Sequence, residues 1–212
     1  RHETFHNFEK SKYADGSYFD KYVSKDWGPK SDLVKKLFAN IHIPTIDDWK
    51  KLKDDVMADG LYNEYRLAVA PNGSTSYIND STASLTPIIN RIEERQEKMI
   101  GKIYYPAPYL SNDTMPYYRS AYDMDMRTVI DTYAAAQQHV DQSLSLTLFV
   151  RSTMPEGLYE WKNGRTNKMT TRDLNILRHY AYKKGIKSIY YVRTFTDDND
   201  EIGANQCESC VI

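Results

Sequence analysis

The sequence predicts one α/β unit, and three observations carry that prediction. Short β-branched or aromatic runs at residues 65–70, 143–150 and 186–193 read as strands. Amphipathic stretches with capping and stop signals lie before and between them. No linker divides the 212 residues, and no internal repeat is visible.

Taken in order, residues 1–27 are rich in aromatics and lysines, with a turn at Asp15-Gly16. Ser31 caps a helix expected to run to about Asn40, with Leu33, Val34, Leu37 and Phe38 on one face. Pro44-Thr45 starts a second helix with Asp47 and Asp48 in its first turn. Ile46, Trp49, Leu52 and Val56 form its predicted buried stripe, and Gly60 ends it. The run 65–70 is a short apolar strand followed at once by Pro71-Asn-Gly-Ser-Thr-Ser76. Pro87–Ile100 reads as helical, with Arg91, Glu93, Glu94 and Arg95 on its outer face, and Lys102–Tyr118 as irregular and extended. Ala121–Val140 is the longest helix candidate, and Ser143–Val150 the strand after it. Thr170 and Asp173 form a capping-box pattern that opens a helix with Leu174, Leu177 and Ala181 on one face; Gly185 stops it. Strand, helix and strand in this last part predict a parallel crossover. After it, residues 196–208 are acidic and polar, without apolar periodicity, and predict a mobile tail.

Composition narrows the function. The 41% hydrophobic content suffices for a packed core. With 28 basic against 29 acidic side chains intermixed, no polyanion-binding face is signalled, which argues against nucleic acid and anionic membrane as partners. No apolar run approaches the roughly 20 residues that span a bilayer, and no signal-peptide pattern is present. The start at Arg1, inside a polar stretch, reads as the start of a piece of a longer protein. Three glycosylation sequons begin at Asn72, Asn79 and Asn112, but without a secretory signal chance explains them. Both cysteines fall in one C-x-x-C, Cys207 and Cys210, which favours a cytoplasmic, redox-cycling dithiol over a structural disulfide.

Each motif has a plain reading beside a chemical one. The turn Pro71–Ser76 offers a glycine, three hydroxyls and several N–H groups, which can cradle a phosphate without lysine. A polar turn after a strand is more often only a turn. His2-Glu-Thr-Phe-His6 matches H-E-x-x-H, in which two histidines one helical turn apart hold zinc. The glycine and third histidine of the extended form are replaced by Glu9 and Lys12, which weakens that reading. Tyrosine pairs at 104–105, 117–118 and 190–191 are largely explained by 18 tyrosines in the chain. Successive strand residues face opposite ways, so a stacked pair there requires a local distortion. The terminal C-x-x-C is the most specific feature. With no second C-x-x-C it cannot close a four-thiolate zinc site within one chain, and its near-terminal place favours thiol exchange.

In combination these motifs resemble the C-terminal part of the large subunit of class I ribonucleotide reductase, most closely its class Ib form. The resemblance covers essentially the whole chain. It rests on Glu3-Thr-Phe-His-Asn-Phe8, Ala70-Pro-Asn-Gly-Ser-Thr-Ser-Tyr-Ile-Asn79, His139-Val-Asp-Gln-Ser143, Ile189-Tyr-Tyr191 and Cys207-Glu-Ser-Cys210-Val-Ile. It implies an α/β fold that is the C-terminal part of a ten-stranded α/β barrel: residues 1–195 barrel, residues 196–212 a flexible redox-active tail. It implies that Pro71, Asn72, Gly73, Ser74 and Thr75 hold the substrate diphosphate; Asn72 stands where many relatives carry Thr and can still donate. Tyr190 and Tyr191 would relay a radical from a separate metal-bearing subunit with a dimanganese or diiron tyrosyl-radical centre. Cys207 and Cys210 would re-reduce the active-site disulfide and be reduced in turn by a glutaredoxin- or thioredoxin-like protein. No cofactor would be bound by this chain itself, and the complete large subunit would form a homodimer.

One departure limits the inference. Reductase chemistry needs a thiyl-radical cysteine and two reducing cysteines beside it, yet both cysteines here lie in the tail. The catalytic cysteine and the allosteric sites are therefore expected on an N-terminal part, without which this chain would not reduce nucleotides. Two other classes compete: a non-catalytic thiol-redox or assembly module using the tail alone, and a zinc metallopeptidase on His2, Glu3 and His6.

Overall fold

Residues 3–97, 101–162 and 166–196 are described by the computed structural model. The tail cysteines Cys207 and Cys210, and His2, lie outside the described residues.

The chain divides into two units, Arg1–Arg66 and Leu67–Ile212, although no linker composition marks the boundary. The first unit is organised by its capped helices. Ser31 Oγ accepts the Val34 N–H at 3.3 Å to open α2 (Asp32–Leu37), after a short α1 (Asp20–Val23). In α3 (Ile46–Asp59) Thr45 and Asp48 form the full capping box, each side chain accepting the other's backbone N–H. Gly60 ends α3 at φ 84°, where a Cβ would meet Thr4 Cγ2 at 2.3 Å, so only glycine fits. Phe8, Phe19 and Val56 form the core here, and Tyr22 stacks on Trp49 at 4.2 Å.

Two expectations in this unit are corrected. The first helix ends at Leu37 rather than near Asn40, and Leu33 and Leu37 are 69% and 68% exposed. In α3, Leu52 is exposed rather than buried, while Lys53 and Met57 turn toward Gly16.

The second unit carries both sheets seen among the described residues, each of two strands. β1 (Ile92–Glu97) and β2 (Gly101–Pro106) form an antiparallel hairpin, with Gly101 at φ 88°. Within the predicted helix over 87–100, residues 92–97 thus form a strand and none of the described residues is helical. The strand's charged side chains pair locally, Glu93 with Arg95 at 3.6 Å two residues on and Glu94 with Lys102 at 2.6 Å across the strands. The expected strand 65–70 is not one either: Leu67 N–H meets the Asp141 carboxylate and Leu67 C=O accepts from Gln142, so loop groups take the bonds a neighbouring strand would supply. The turn after it continues as a short helix, α4 (Gly73–Ile78).

The strand–helix–strand order predicted for the C-terminal part is present, but the helix expected over 121–140 spans only Met126–Gln137, and α3 is longer. α5 (Met126–Gln137) is capped by Asp125, whose carboxylate accepts the Arg127 N–H at 2.8 Å. β3 (Leu146–Arg151) then pairs in parallel with β4 (Ile189–Phe195), and α6 (Thr171–Lys183) makes the crossover. Gln137 closes the α5–β3 connection by donating to Val140 and Gln142 carbonyls and accepting the Leu144 N–H. Ile130, Tyr133, Leu146, Leu148 and Leu177 are fully buried in the core between these elements. Truncating one such leucine to alanine costs about 2–5 kcal/mol. No closed barrel is formed by the described residues.

Candidate functional site

Two places in the second unit carry the residues singled out from sequence. The first is the N-terminal end of α4. Pro71, Asn72, Ser74 and Thr75 are exposed there, and Gly73 is half-buried. Asn72 stands at the cap with its side chain making no cap bond. The Asn72 and Gly73 N–H groups donate to the Ala70 and Pro71 carbonyls at 3.1 and 3.0 Å, and helix geometry leaves those of Ser74 and Thr75, in the first turn, without intrahelical acceptors. Gly73 is informative. Its φ is not positive, and a Cβ built on it meets nothing within 4 Å. Neither strain nor crowding by the rest of the chain asks for glycine at this position.

Behind the loop, α4 is held through Ser76 and Tyr77. The buried Ser76 donates its Oγ–H to Gly73 C=O at 2.6 Å, and Ser76 C=O accepts the Ser81 N–H at 2.9 Å. Tyr77 donates its hydroxyl to Glu93 Oε2 on β1 at 2.8 Å, and its ring lies 4.5 Å from that of Tyr105 on β2. A cavity of about 190 Å³ opens between α4, the 80–90 loop and the hairpin; Ser76, Tyr77, Thr86, Glu93 and Tyr105 are among its walls. Sequence reasoning missed Tyr77, Glu93 and Arg95. The period-two spacing of Glu93 and Arg95 was the available signal.

The second place is the tyrosine pair on β4. The rings of Tyr190 and Tyr191 are 4.1 Å apart at 60°, with their hydroxyls 3.5 Å from one another. The distortion that neighbouring strand residues require is present. Leu146 pairs with Ile189 but Thr147 pairs with Tyr191, so Tyr190 is an extra residue against β3. In consequence Ile189 and Val192, three apart, both pack on the core, while the two tyrosines between them face outward, 53% and 41% exposed. The Arg193 guanidinium lies 6.0 Å from the Tyr191 ring. The other tyrosine pairs show no such stacking contact of their own: Tyr104 is exposed and Tyr105 turns to Tyr77, in the alternation of an ordinary strand.

β4 inherits its position from α6. Asp173 at the start of α6 accepts hydrogen bonds from Lys162 Nζ at 2.6 Å, Thr170 N–H at 2.9 Å and Trp161 Nε1 at 2.9 Å. Burial pushes this carboxyl up, but the donors outweigh it and bring its pKa to about 2. The Tyr159 phenol nearby is pushed up to about 12, chiefly by burial, while it accepts the Met126 N–H. These groups stabilise the fold and have no access to a reactant.

The metallopeptidase pattern finds no support in the residues described: Glu3 to His6 lie ahead of the first helical turn, Phe8–Lys10, and not on a helix. Among the described residues no cluster of His, Cys, Asp or Glu could hold a metal ion, and no helix is long and apolar enough to cross a membrane.

The chain is similar to known proteins along most of its length. The family model described as "Ribonucleotide reductase, barrel domain" matches residues 1–192. The chain is 48% identical over 210 residues to the ribonucleoside-diphosphate reductase subunit alpha of Bacillus subtilis, covering 99% of this chain and 27% of that protein. It is 49% identical over 210 residues to the NrdEB subunit alpha of Bacillus phage SPbeta, covering 17% of it. It is 45% identical over 219 residues to the subunit alpha of Mycoplasma pneumoniae, covering 28% of it. The chain thus spans little more than a quarter of these relatives, or less.

Proposed function

The chain belongs to the ribonucleotide reductase barrel-domain family, and from that premise we propose that it is the C-terminal part of a class Ib-like large subunit. That subunit reduces ribonucleoside diphosphates to deoxyribonucleoside diphosphates by a radical mechanism, supplying precursors for DNA replication in the cytoplasm. In this reading residues 1–195 belong to the reductase barrel, and residues 196–212 are its redox-active tail.

The observation that carries the reading is the bulge at Tyr190. A bulge bends a ladder and leaves one residue unpaired; here its effect is to bring two phenol hydroxyls within 3.5 Å. At that separation one phenoxyl can take a hydrogen atom, electron and proton together, from the other, so no charge is created in an apolar setting. The O–H bond of the donor breaks as that of the acceptor forms, and the radical moves by one residue. The radical itself comes from a separate subunit with a dimanganese or diiron tyrosyl-radical centre. Both rings reach solvent in this chain, and a partner surface covers them in the assembled enzyme.

Pro71, Asn72, Gly73, Ser74 and Thr75 hold the substrate diphosphate in this proposal, supported by the exposed Ser74 and Thr75 at the helix start and the unfilled space over Gly73. Cys207 and Cys210 return electrons to the active-site disulfide. One thiolate attacks it, the resulting mixed disulfide is displaced by the second thiolate, and the new Cys207–Cys210 disulfide is reduced by a glutaredoxin- or thioredoxin-like protein. The thiyl-radical cysteine and the remaining strands come from the N-terminal part, in a homodimer of the complete subunit.

The test is diphosphate reduction by the chain alone and by the chain mixed with the N-terminal part, radical subunit and reductant. Activity confined to the full mixture is the expected result. No activity in any mixture, with assembly confirmed, would return the chain to a thiol-redox or assembly module.

A further inference from the structure

We propose that Tyr77 is a positioning residue for the diphosphate, acting through its hydroxyl bond to Glu93; this rests on the phosphate-loop reading above. α4 has only six residues, too few to hold a fixed direction by its own hydrogen bonds. Packing does not fix it either, because the cavity of about 190 Å³ lies between it and the β1–β2 hairpin. What spans that gap is Tyr77. Its hydroxyl donates to Glu93 Oε2 at 2.8 Å, and Glu93 is held in turn by Arg95, 3.6 Å away. The Arg95 guanidinium closes the arrangement by lying 4.4 Å from the Tyr77 ring, whose neighbour is Tyr105 at 4.5 Å. Three polar and aromatic groups from two strands thus converge on one phenol.

The lever is short and stiff. Tyr77 lies four residues from Gly73, about 6 Å along the axis at the helical rise. A tilt of about 10° about Tyr77 would move the loop N–H groups by about 1 Å. Displacements of that size are enough to cost a well-aligned site much of its binding. Ser76 cannot substitute for the tether, since its hydroxyl bonds back to Gly73 within α4 itself.

The test compares Tyr77→Phe, Glu93→Gln and Gly73→Ala in the assembled enzyme, with inorganic pyrophosphate as competing probe. Tyr77→Phe keeps the ring stack and loses only the donor. It should raise the substrate KM and the pyrophosphate inhibition constant each about tenfold, with kcat within about twofold of wild type. Glu93→Gln retains an acceptor oxygen and should stay within about threefold on both constants. If Gly73→Ala weakens pyrophosphate but Tyr77→Phe does not, or if Glu93→Gln is as defective as Tyr77→Phe, the tether is overturned while the loop reading stands. If pyrophosphate fails to compete in wild type, or competes equally in Gly73→Ala, the loop reading falls and the tether with it.

Discussion

The Lys162 ammonium lies 2.6 Å from the Asp173 carboxylate, with Asp173 only 3% exposed. The pair does more than neutralise itself. Asp173 is also the closing residue of the α6 capping box, and Lys162 Nζ donates as well to the Lys168 carbonyl at 2.7 Å. One buried carboxylate therefore ties the turn Glu160–Lys162, the 166–170 segment and the first turn of α6 together. α6 leads directly into β4, so this knot sets where the tyrosine pair begins.

Asp173→Asn should destabilise the second unit by about 3–5 kcal/mol, because it leaves the Lys162 charge buried without its counter-ion. Urea unfolding at neutral pH measures it.

The same carboxyl gives a signed pH dependence. Its folded pKa of about 2 lies below the roughly 3.9 of an unfolded aspartate. Its stabilisation, about 2–3 kcal/mol, is complete above about pH 4 and is lost as pH falls toward 2. Wild-type stability should drop across that window, and Asp173→Asn should show a shallower slope there.

Tyr191→Phe should lower reductase activity of the assembled enzyme at least about hundredfold, with dithiothreitol present, while leaving the melting temperature nearly unchanged. The residue is half out of the core, and phenylalanine retains the ring contact with Tyr190. Retained activity would remove the tyrosine pair from the radical path.

Gly73→Ala should raise KM about tenfold without loss of stability. Alanine favours a helix over glycine by up to about 1 kcal/mol, and its Cβ meets no neighbour. A stable protein with poor substrate affinity is the signature expected; equal affinity would leave the loop as an ordinary turn.

Cys210→Ser should fall at least about tenfold in turnover with a protein reductant and recover partly with dithiothreitol, since a small thiol reaches the active-site disulfide directly. Turnover that is equal with both reductants would separate the tail from catalysis.

What could be read from the sequence follows the range of the interactions. α3 and α6 were legible because Thr45, Asp48 and Gly60, and Thr170, Asp173 and Gly185, act within a few residues of one another. The parallel pairing of β3 with β4 was legible from strand–helix–strand order. Residues 92–97 were misread because Glu93, Glu94 and Arg95 lack the β-branched signature, and their meaning lies in contacts with Tyr77 and Lys102. Residues 65–70 have strand-like apolar content, yet a strand exists only with a partner, and Leu67 meets Asp141 and Gln142 instead. At the tyrosine pair the need for a distortion was visible in the Tyr-Tyr spelling. That Tyr190 would be the unpaired residue depended on β3, far away in the chain. Family resemblance supplied the roles that neither periodicity nor spacing could.

The cavity behind α4 has a mechanical consequence. Hydrostatic pressure favours states of smaller volume, and internal voids are the main volume a folded chain can surrender. Ile130, Leu148 and Leu177 are buried in the core, whereas the cavity of about 190 Å³ borders α4, which carries the proposed phosphate loop. As pressure rises, affinity for the diphosphate would decline while the β3–α6–β4 core stays folded, and substrate grip and chain stability would part company along a single physical axis.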